Sequence, residues 1–181
     1  MSEGGEVEKF EVTITYLEML ARSTKPLPPR LPYKTALMRV EKCPAAFYRF
    51  LYDYVGAEWY WVQRRYMADE ELLPIIHDEA VYLYCLYVEG AAAGMAEIDA
   101  RERQANDGAI EIKYFGLGRD FMGKSLGKWF LANVIDLAWD LDPSKLVIET
   151  CSRDHPAALR LYQKQGFTPS GQGNGIIEWR G

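Results

Sequence analysis

Over Phe10–Leu20 the chain alternates apolar and polar residues, with Val12, Ile14 and Tyr16 set against Glu11, Thr13 and Thr15, which predicts a first strand. Four prolines between Ser23 and Pro32 then require an extended loop, since each removes a backbone donor and fixes φ. Thr35–Val40 is strand-like. Cys43-Pro44 opens an aromatic-rich helix over Pro44–Val55, because proline is tolerated in a first turn, and Gly56 is placed to stop it. Trp59, Tyr60, Trp61 and Tyr66 crowd one short stretch, which reads as core or helix packing. Asp69–Ile76 starts with acidic residues suited to a helix N-terminus.

Three β-rich segments follow: Val81–Val88, Ala93–Arg101 and Ala109–Leu117. Glu89-Gly90 and Asn106-Asp107-Gly108 supply turn chemistry between them, which predicts an antiparallel three-strand meander. Leu126, Phe130, Val134, Leu137 and Leu141 then recur at helical spacing until Asp142-Pro143. Leu146–Cys151 reads as a short buried strand. Asp154-His155-Pro156 should start a last helix, with Asp154 as N-cap; Gly166 should end it as a C′ glycine with Phe167 packed back over it. Two short β segments, near Phe167–Ser170 and Gly175–Trp179, finish the pattern.

At 181 residues and 49% hydrophobic content, the expectation is one domain over 1–181 with a full core. A net charge of −5 leaves no basic stripe for nucleic acid. Cys43, Cys85 and Cys151 are odd in number and widely spaced, a pattern that fits reduced thiols in the cytoplasm better than disulfides. Met1–Glu11 is acidic and lacks the apolar core of a secretory signal, and no apolar run is long enough for a bilayer. With only His77 and His155 available, no metal constellation is visible.

The run Gly118-Arg119-Asp120-Phe121-Met122-Gly123-Lys124-Ser125 satisfies the G-x-x-x-x-G-K-[ST] pattern of nucleotide-binding P-loops. Such loops need a second apolar strand ending in Asp to hold Mg²⁺, and further βα units beyond. Leu146-Val147-Ile148 runs instead into Glu149-Thr150, and too few residues follow for that sheet. The part both readings share is a strand, a glycine-rich turn, and helix N–H groups facing an anion.

The order of strands, glycine loop, helix, strand, helix and Gly-Phe resembles the GNAT superfamily of acyl-CoA-dependent N-acyltransferases. Two segments carry the likeness. Met122-Gly123-Lys124-Ser125-Leu126-Gly127 is similar to the family's Q/R-x-x-G-x-G/A loop, and Ala157–Phe167 is close to its A-x-x-L-Y-x-x-x-G-F helix. Met122 and Ser125 depart from the family's usual Gln or Arg and Gly. The likeness is good from about Val81 onward; residues 1–80 match only in coarse order and would form a variable, acceptor-side part.

The resemblance implies an α/β (α+β) fold with a mixed, mostly antiparallel sheet flanked by helices, in which two splayed strands form the acyl-CoA cleft. It implies an N-acetyltransferase that moves acetyl from acetyl-CoA to an amine acceptor, either a small molecule or a peptide or protein amine, by direct transfer in a ternary complex. A catalytically silent acyl-CoA sensor is the alternative, and a P-loop nucleotide binder the less favoured one. No membrane partner is implied, and a homodimer is compatible with such folds. Phe115, Gly116 and Leu117 would lie along the pantetheine arm, with Thr150 and Cys151 on the opposite edge. Met122 to Gly127 would hold the pyrophosphate, with charge from Arg119 and Lys124; Ala158, Tyr162 and Lys164 would complete the cofactor side. Glu111 is the first candidate for general base, Glu97 the second, and Tyr162 the candidate general acid.

Overall fold

The structure, a computed structural model, describes residues 7–180; the first six residues of the acidic amino-terminal stretch and Gly181 lie outside them. A seven-stranded sheet runs through the molecule. Its strands are β1 (Val7–Met19), β2 (Thr35–Arg39), β3 (Val81–Val88), β4 (Ala91–Asp99), β5 (Ala109–Leu117), β6 (Lys145–Cys151) and β7 (Thr168–Arg180). Their spatial order is β2-β3-β4-β5-β6-β1-β7, antiparallel throughout except for β5 beside β6. Four helices cover it: α1 (Ala45–Gly56), α2 (Asp69–Ile76), α3 (Leu126–Trp139) and α4 (Ala158–Gln165). The mixed, mostly antiparallel sheet and the β3–β4–β5 meander are those the sequence predicts.

Each face of the sheet carries its own core. On α1, Tyr48, Leu51, Tyr52 and Val55 recur at intervals of three and four and bury one stripe against Leu83, Met95 and Tyr114. On the other face, α3 buries Leu126, Phe130, Leu131, Val134, Ile135 and Ala138 against Ile98, Ile110, Ile112 and Ile148. α3 stops at Trp139, short of the expected Asp142-Pro143 boundary. Leu141 and Asp142 lie in turns closed by Ala138 and Trp139 carbonyls.

Two other local expectations need correction. α4 begins at Ala158, and Asp154 does not cap it; the Asp154 carboxylate instead closes the turn that leaves β6, accepting from the Cys151 N–H and the Thr150 hydroxyl at 2.8 Å each. The final β segments form one strand, β7, despite Pro169 and the glycines at 171, 173 and 175. Pairing along β1 from Val7↔Arg180 to Glu18↔Thr168 outweighs their low strand propensity. The ring-crowded stretch after α1, for which the pattern predicts no element, is a 3-10 turn (Ala57–Trp59) and a loop. Among the described residues no helix is long and apolar enough to cross a membrane.

Candidate active site

The site originates in one irregularity of β5. Glu97 pairs with Tyr114 and Ile98 with Ile112, so Lys113 is an extra residue opposite β4. Such a bulge bends the strand and reverses its alternation. Ile110 and Ile112 face the α3 core, whereas beyond the bulge Phe115 and Leu117 do, and Tyr114 and Gly116 face α1. β5 and β6 consequently pair only from Ala109↔Lys145 to Glu111↔Val147 and then part. The separated halves, Ile112–Leu117 and Ile148–Cys151, border a cleft of about 630 Å³.

At one side the cleft meets the start of α3. Gly123 has φ +74° and Ser125 φ +60°, the left-handed region that favours glycine. Ser125 makes no side-chain cap, so the first-turn N–H groups of α3 lack a capping side chain. Met122, Gly123, Ser125 and Gly127 line the cleft, as does Lys128, which sequence reasoning passed over. The residues expected to supply charge point elsewhere. Lys124 Nζ donates to the Asp120 carbonyl of its own loop at 2.9 Å, and Arg119 pairs with Glu58. Leu126 is wholly buried in the α3 core, and Lys164 sits exposed in the last turn of α4, outside the cleft. A search for i, i+4 lysines around the loop would have singled out Lys128 beside Lys124.

Of the other expected residues, Phe115, Gly116, Leu117, Thr150, Cys151, Ala158 and Tyr162 all line the cleft. Gly116, however, is not small for the sake of a ligand: a Cβ there would lie 2.5 Å from Val55 Cγ1. Its absence lets α1 pack on β5. Tyr162 is buried between Phe115 and Phe167, and burial, with the Asp154 charge behind it, raises its hydroxyl pKa. It is therefore a protonated donor at neutral pH. Burial and then Asp154 also raise the Cys151 thiol, which marks it as a poor nucleophile.

The two glutamates occupy different settings. Glu97 is fully buried and does not line the cleft: Arg64 Nη2 donates to its Oε1 at 2.9 Å and the Tyr48 hydroxyl to its Oε2 at 2.6 Å. It is unsuited to receive a proton from a substrate. Glu111 lies before the bulge, in a second depression that shares Ile148 and Glu149 with the cleft, and Lys113 Nζ donates to it at 3.1 Å. Burial raises the Glu111 pKa, Lys113 opposes that, and Glu149 and Asp99 reinforce it.

The sequence profile of the Acetyltransferase (GNAT) family matches residues 48–167. The chain belongs to the GNAT acetyltransferase family. No curated protein matches it by sequence. Among solved structures it is similar to a GCN5-related N-acetyltransferase from Sphaerobacter thermophilus (TM-score 0.64, 16% identity, 94% of this chain and 52% of that one). A variant of the SpeG spermidine N-acetyltransferase from Vibrio cholerae superposes with TM-score 0.60 at 17% identity, covering 80% of this chain and 94% of that one. An aminoglycoside acetyltransferase from an uncultured soil metagenomic sample gives 0.59 at 12%, covering 72% and 86%. The chain spans only about half the length of the Sphaerobacter protein, and 63% of a similar conserved protein from Staphylococcus epidermidis.

The GNAT profile excludes both β1 and β7, yet these strands help to build the cleft. Val12 and Ile14 of β1 and Ile177 of β7 border it. The loop after α1 adds Trp59, Tyr60, Trp61 and Gln63 to its lining. Tyr60 packs on Phe10 and Trp179, and Tyr66 Oη donates to the Arg180 carbonyl at 2.9 Å, tying the loop across the β1–β7 ladder. At its centre, the buried Arg64–Glu97 pair and the Tyr114 hydroxyl donating to Gln63 at 2.7 Å fix it to the sheet. The aromatic cluster thus packs as the sequence suggests and also walls the cleft. Among the described residues no group of His, Cys, Asp and Glu is placed to hold a metal ion.

Proposed function

We propose that this protein transfers an acetyl group from acetyl-CoA to the amine of an acceptor, by direct attack while both are bound. The observation that carries the reading is the opening of the uncapped first turn of α3 onto the same cleft that the parted β5 and β6 frame. An anion belongs at those N–H groups, and the exposed strand edges beyond offer amide partners to an extended arm.

In this reading the Met122–Gly127 backbone and Lys128 hold the pyrophosphate. The pantetheine lies between Phe115–Leu117 and Thr150–Cys151, and the thioester carbonyl meets a backbone N–H near Leu117, which stabilises its oxyanion. The acceptor nitrogen forms a bond to the carbonyl carbon, the C–S bond breaks, and the thiolate takes a proton from Tyr162. Glu111, poised by burial, receives the amine proton through water. Small-molecule amines are the acceptor class this favours, in keeping with the spermidine and aminoglycoside enzymes that share the fold.

Calorimetry with acetyl-CoA and with Mg-ATP tests the reading. Saturable heat with acetyl-CoA, followed by CoA release on adding an amine, is expected. Heat with Mg-ATP alone overturns it, and acetyl-CoA binding with no turnover on any amine leaves a sensor instead of an enzyme.

A further inference from the structure

Gly118, the first glycine of the Gly118–Ser125 run, stands where β5 gives way to the glycine loop. Its backbone is extended, with φ −62° and ψ 150°, a conformation any residue adopts. The need for glycine there is one of space. A Cβ would fall against Cε1 and Cζ of Tyr54 and 2.7 Å from its hydroxyl, so the phenol ring rests directly on the Gly118 backbone. Gly116, two residues earlier on β5, is a seat of the same kind for Val55, the next residue of α1.

Tyr54 is held on that seat by two further contacts. Phe50, one turn earlier on α1, stacks on its ring at 5.7 Å between centroids and 8° between planes. The Tyr54 hydroxyl donates to Asp120 Oδ2 at 3.2 Å. Asp120 belongs to the 3-10 turn Arg119–Phe121, in which the Phe121 N–H donates to the Gly118 carbonyl at 3.0 Å and the Met122 N–H to the Arg119 carbonyl at 3.2 Å. The Gly118 N–H donates to the Ala93 carbonyl at 2.9 Å. The turn is thus fastened to the sheet through Gly118 and to α1 through Tyr54; the exposed Arg119–Glu58 pair adds little on its own. Met122, Gly123 and Ser125, which line the cleft, follow where the turn ends, while Tyr54 itself lies outside the cleft.

We propose that Tyr54 is a positioning residue for the diphosphate of the acyl donor. Seated on Gly118, it sets the direction in which the Met122–Gly127 backbone leaves the sheet, and with it the aim of the N–H groups assigned above to that anion. This rests on the acyl-transfer reading, and it makes Gly118 a packing requirement of the loop. The contacts assigned to the pantetheine and thioester lie on β5 ahead of Gly118 and on β6. Unseating Tyr54 therefore acts on the diphosphate end of the donor and spares the thioester end.

The test compares, by calorimetry, the binding of acetyl-CoA with that of S-acetylpantetheine, which carries the same thioester and no diphosphate. Tyr54→Ala and Gly118→Ala should each weaken acetyl-CoA binding roughly tenfold, the scale of a lost hydrogen bond to a charged group. The affinity for S-acetylpantetheine should stay near that of the parent protein. Tyr54→Phe keeps the ring on Gly118 and should retain most of the acetyl-CoA affinity. Urea unfolding shows whether each variant is folded; if Tyr54→Ala is not, Gly118→Ala, which displaces the ring without deleting it, decides. Undiminished acetyl-CoA binding in the folded variants, equal losses for the two donors, or a Tyr54→Phe variant as weak as Tyr54→Ala overturns the proposal and leaves acetyl transfer standing. A parent protein that binds no acetyl-CoA overturns the underlying reading instead.

Discussion

Arg64 Nη2 reaches Glu97 Oε1 at 2.9 Å, with the two side chains 7% and 0% exposed. Burial disfavours the Arg64 charge, but Glu97 more than offsets it and raises its pKa. Burial, with Glu97 beside it, also keeps the Tyr48 hydroxyl protonated as a donor to that carboxylate. The pair pins the loop that walls the cleft.

Removing one partner strands a buried charge. Glu97→Ala should destabilise the protein by about 3–5 kcal/mol, whereas Arg64→Met with Glu97→Leu should recover much of that. Urea unfolding of the two variants beside the parent protein checks it. The double variant should still show a raised acceptor KM, because the loop has lost its directional anchor.

Lys128 and Lys124 separate by their orientation. Lys128→Ala should weaken acetyl-CoA binding roughly tenfold or more, the scale of a lost charged hydrogen bond, with an effect that shrinks in high salt. Lys124→Ala should change affinity little, since its Nζ is engaged by the Asp120 carbonyl. Titration calorimetry at two salt concentrations distinguishes them; equal losses would count against the assigned orientation.

Gly116 and Val55 form a steric pair. Gly116→Ala places a methyl 2.5 Å from Val55 Cγ1 and should cost about 1–3 kcal/mol by overpacking. Adding Val55→Ala should return part of that loss. A double-mutant cycle from thermal unfolding measures the coupling.

Tyr162→Phe keeps the ring packing on Phe115 and Phe167 while deleting the proposed acid. Turnover should fall toward the lower end of the roughly 10²–10⁴-fold range for acid–base groups, with acetyl-CoA affinity nearly unchanged. Steady-state and binding measurements on one preparation separate the two effects. An unchanged kcat would remove Tyr162 from the chemistry.

The pH dependence follows from Glu111. Burial raises its pKa, so the carboxylate of this proposed base forms only above that raised value, and kcat/KM should fall on the acid side at a higher pH than an exposed glutamate gives. Lys113 lowers the Glu111 pKa through its charge and hydrogen bond. Lys113→Gln should therefore move the acid limb upward. A profile in which Lys113→Gln moves the limb downward, or in which Glu111→Gln keeps full activity, would exclude this base.

Much of the architecture was legible along the chain because its causes are local. The α1 stripe, the meander with its Glu89-Gly90 turn, and the αL glycine at Gly166 each depend on neighbours within a few residues. The site was legible where backbone matters, at Met122, Gly123, Ser125 and Gly127, and much less so where side-chain direction matters. The extra residue at Lys113 reverses the alternation of β5, which no periodicity announces, so Glu111 falls outside the main cleft. Glu97 reads as an ordinary strand glutamate until Arg64, far away in sequence, is seen beside it. The apolar wall depends on β1 reaching β6 and β7, contacts that only the folded chain contains.

That placement of β1 has a consequence for synthesis. The strand is made early, yet both of its neighbours, Lys145–Cys151 and Thr168–Arg180, come off the ribosome late. Until then an alternating, half-apolar segment has no partner within its own chain, and its unpaired edge is open to other chains. β1 pairs with strands far along the chain on both sides, so refolding should be slow for the protein's size.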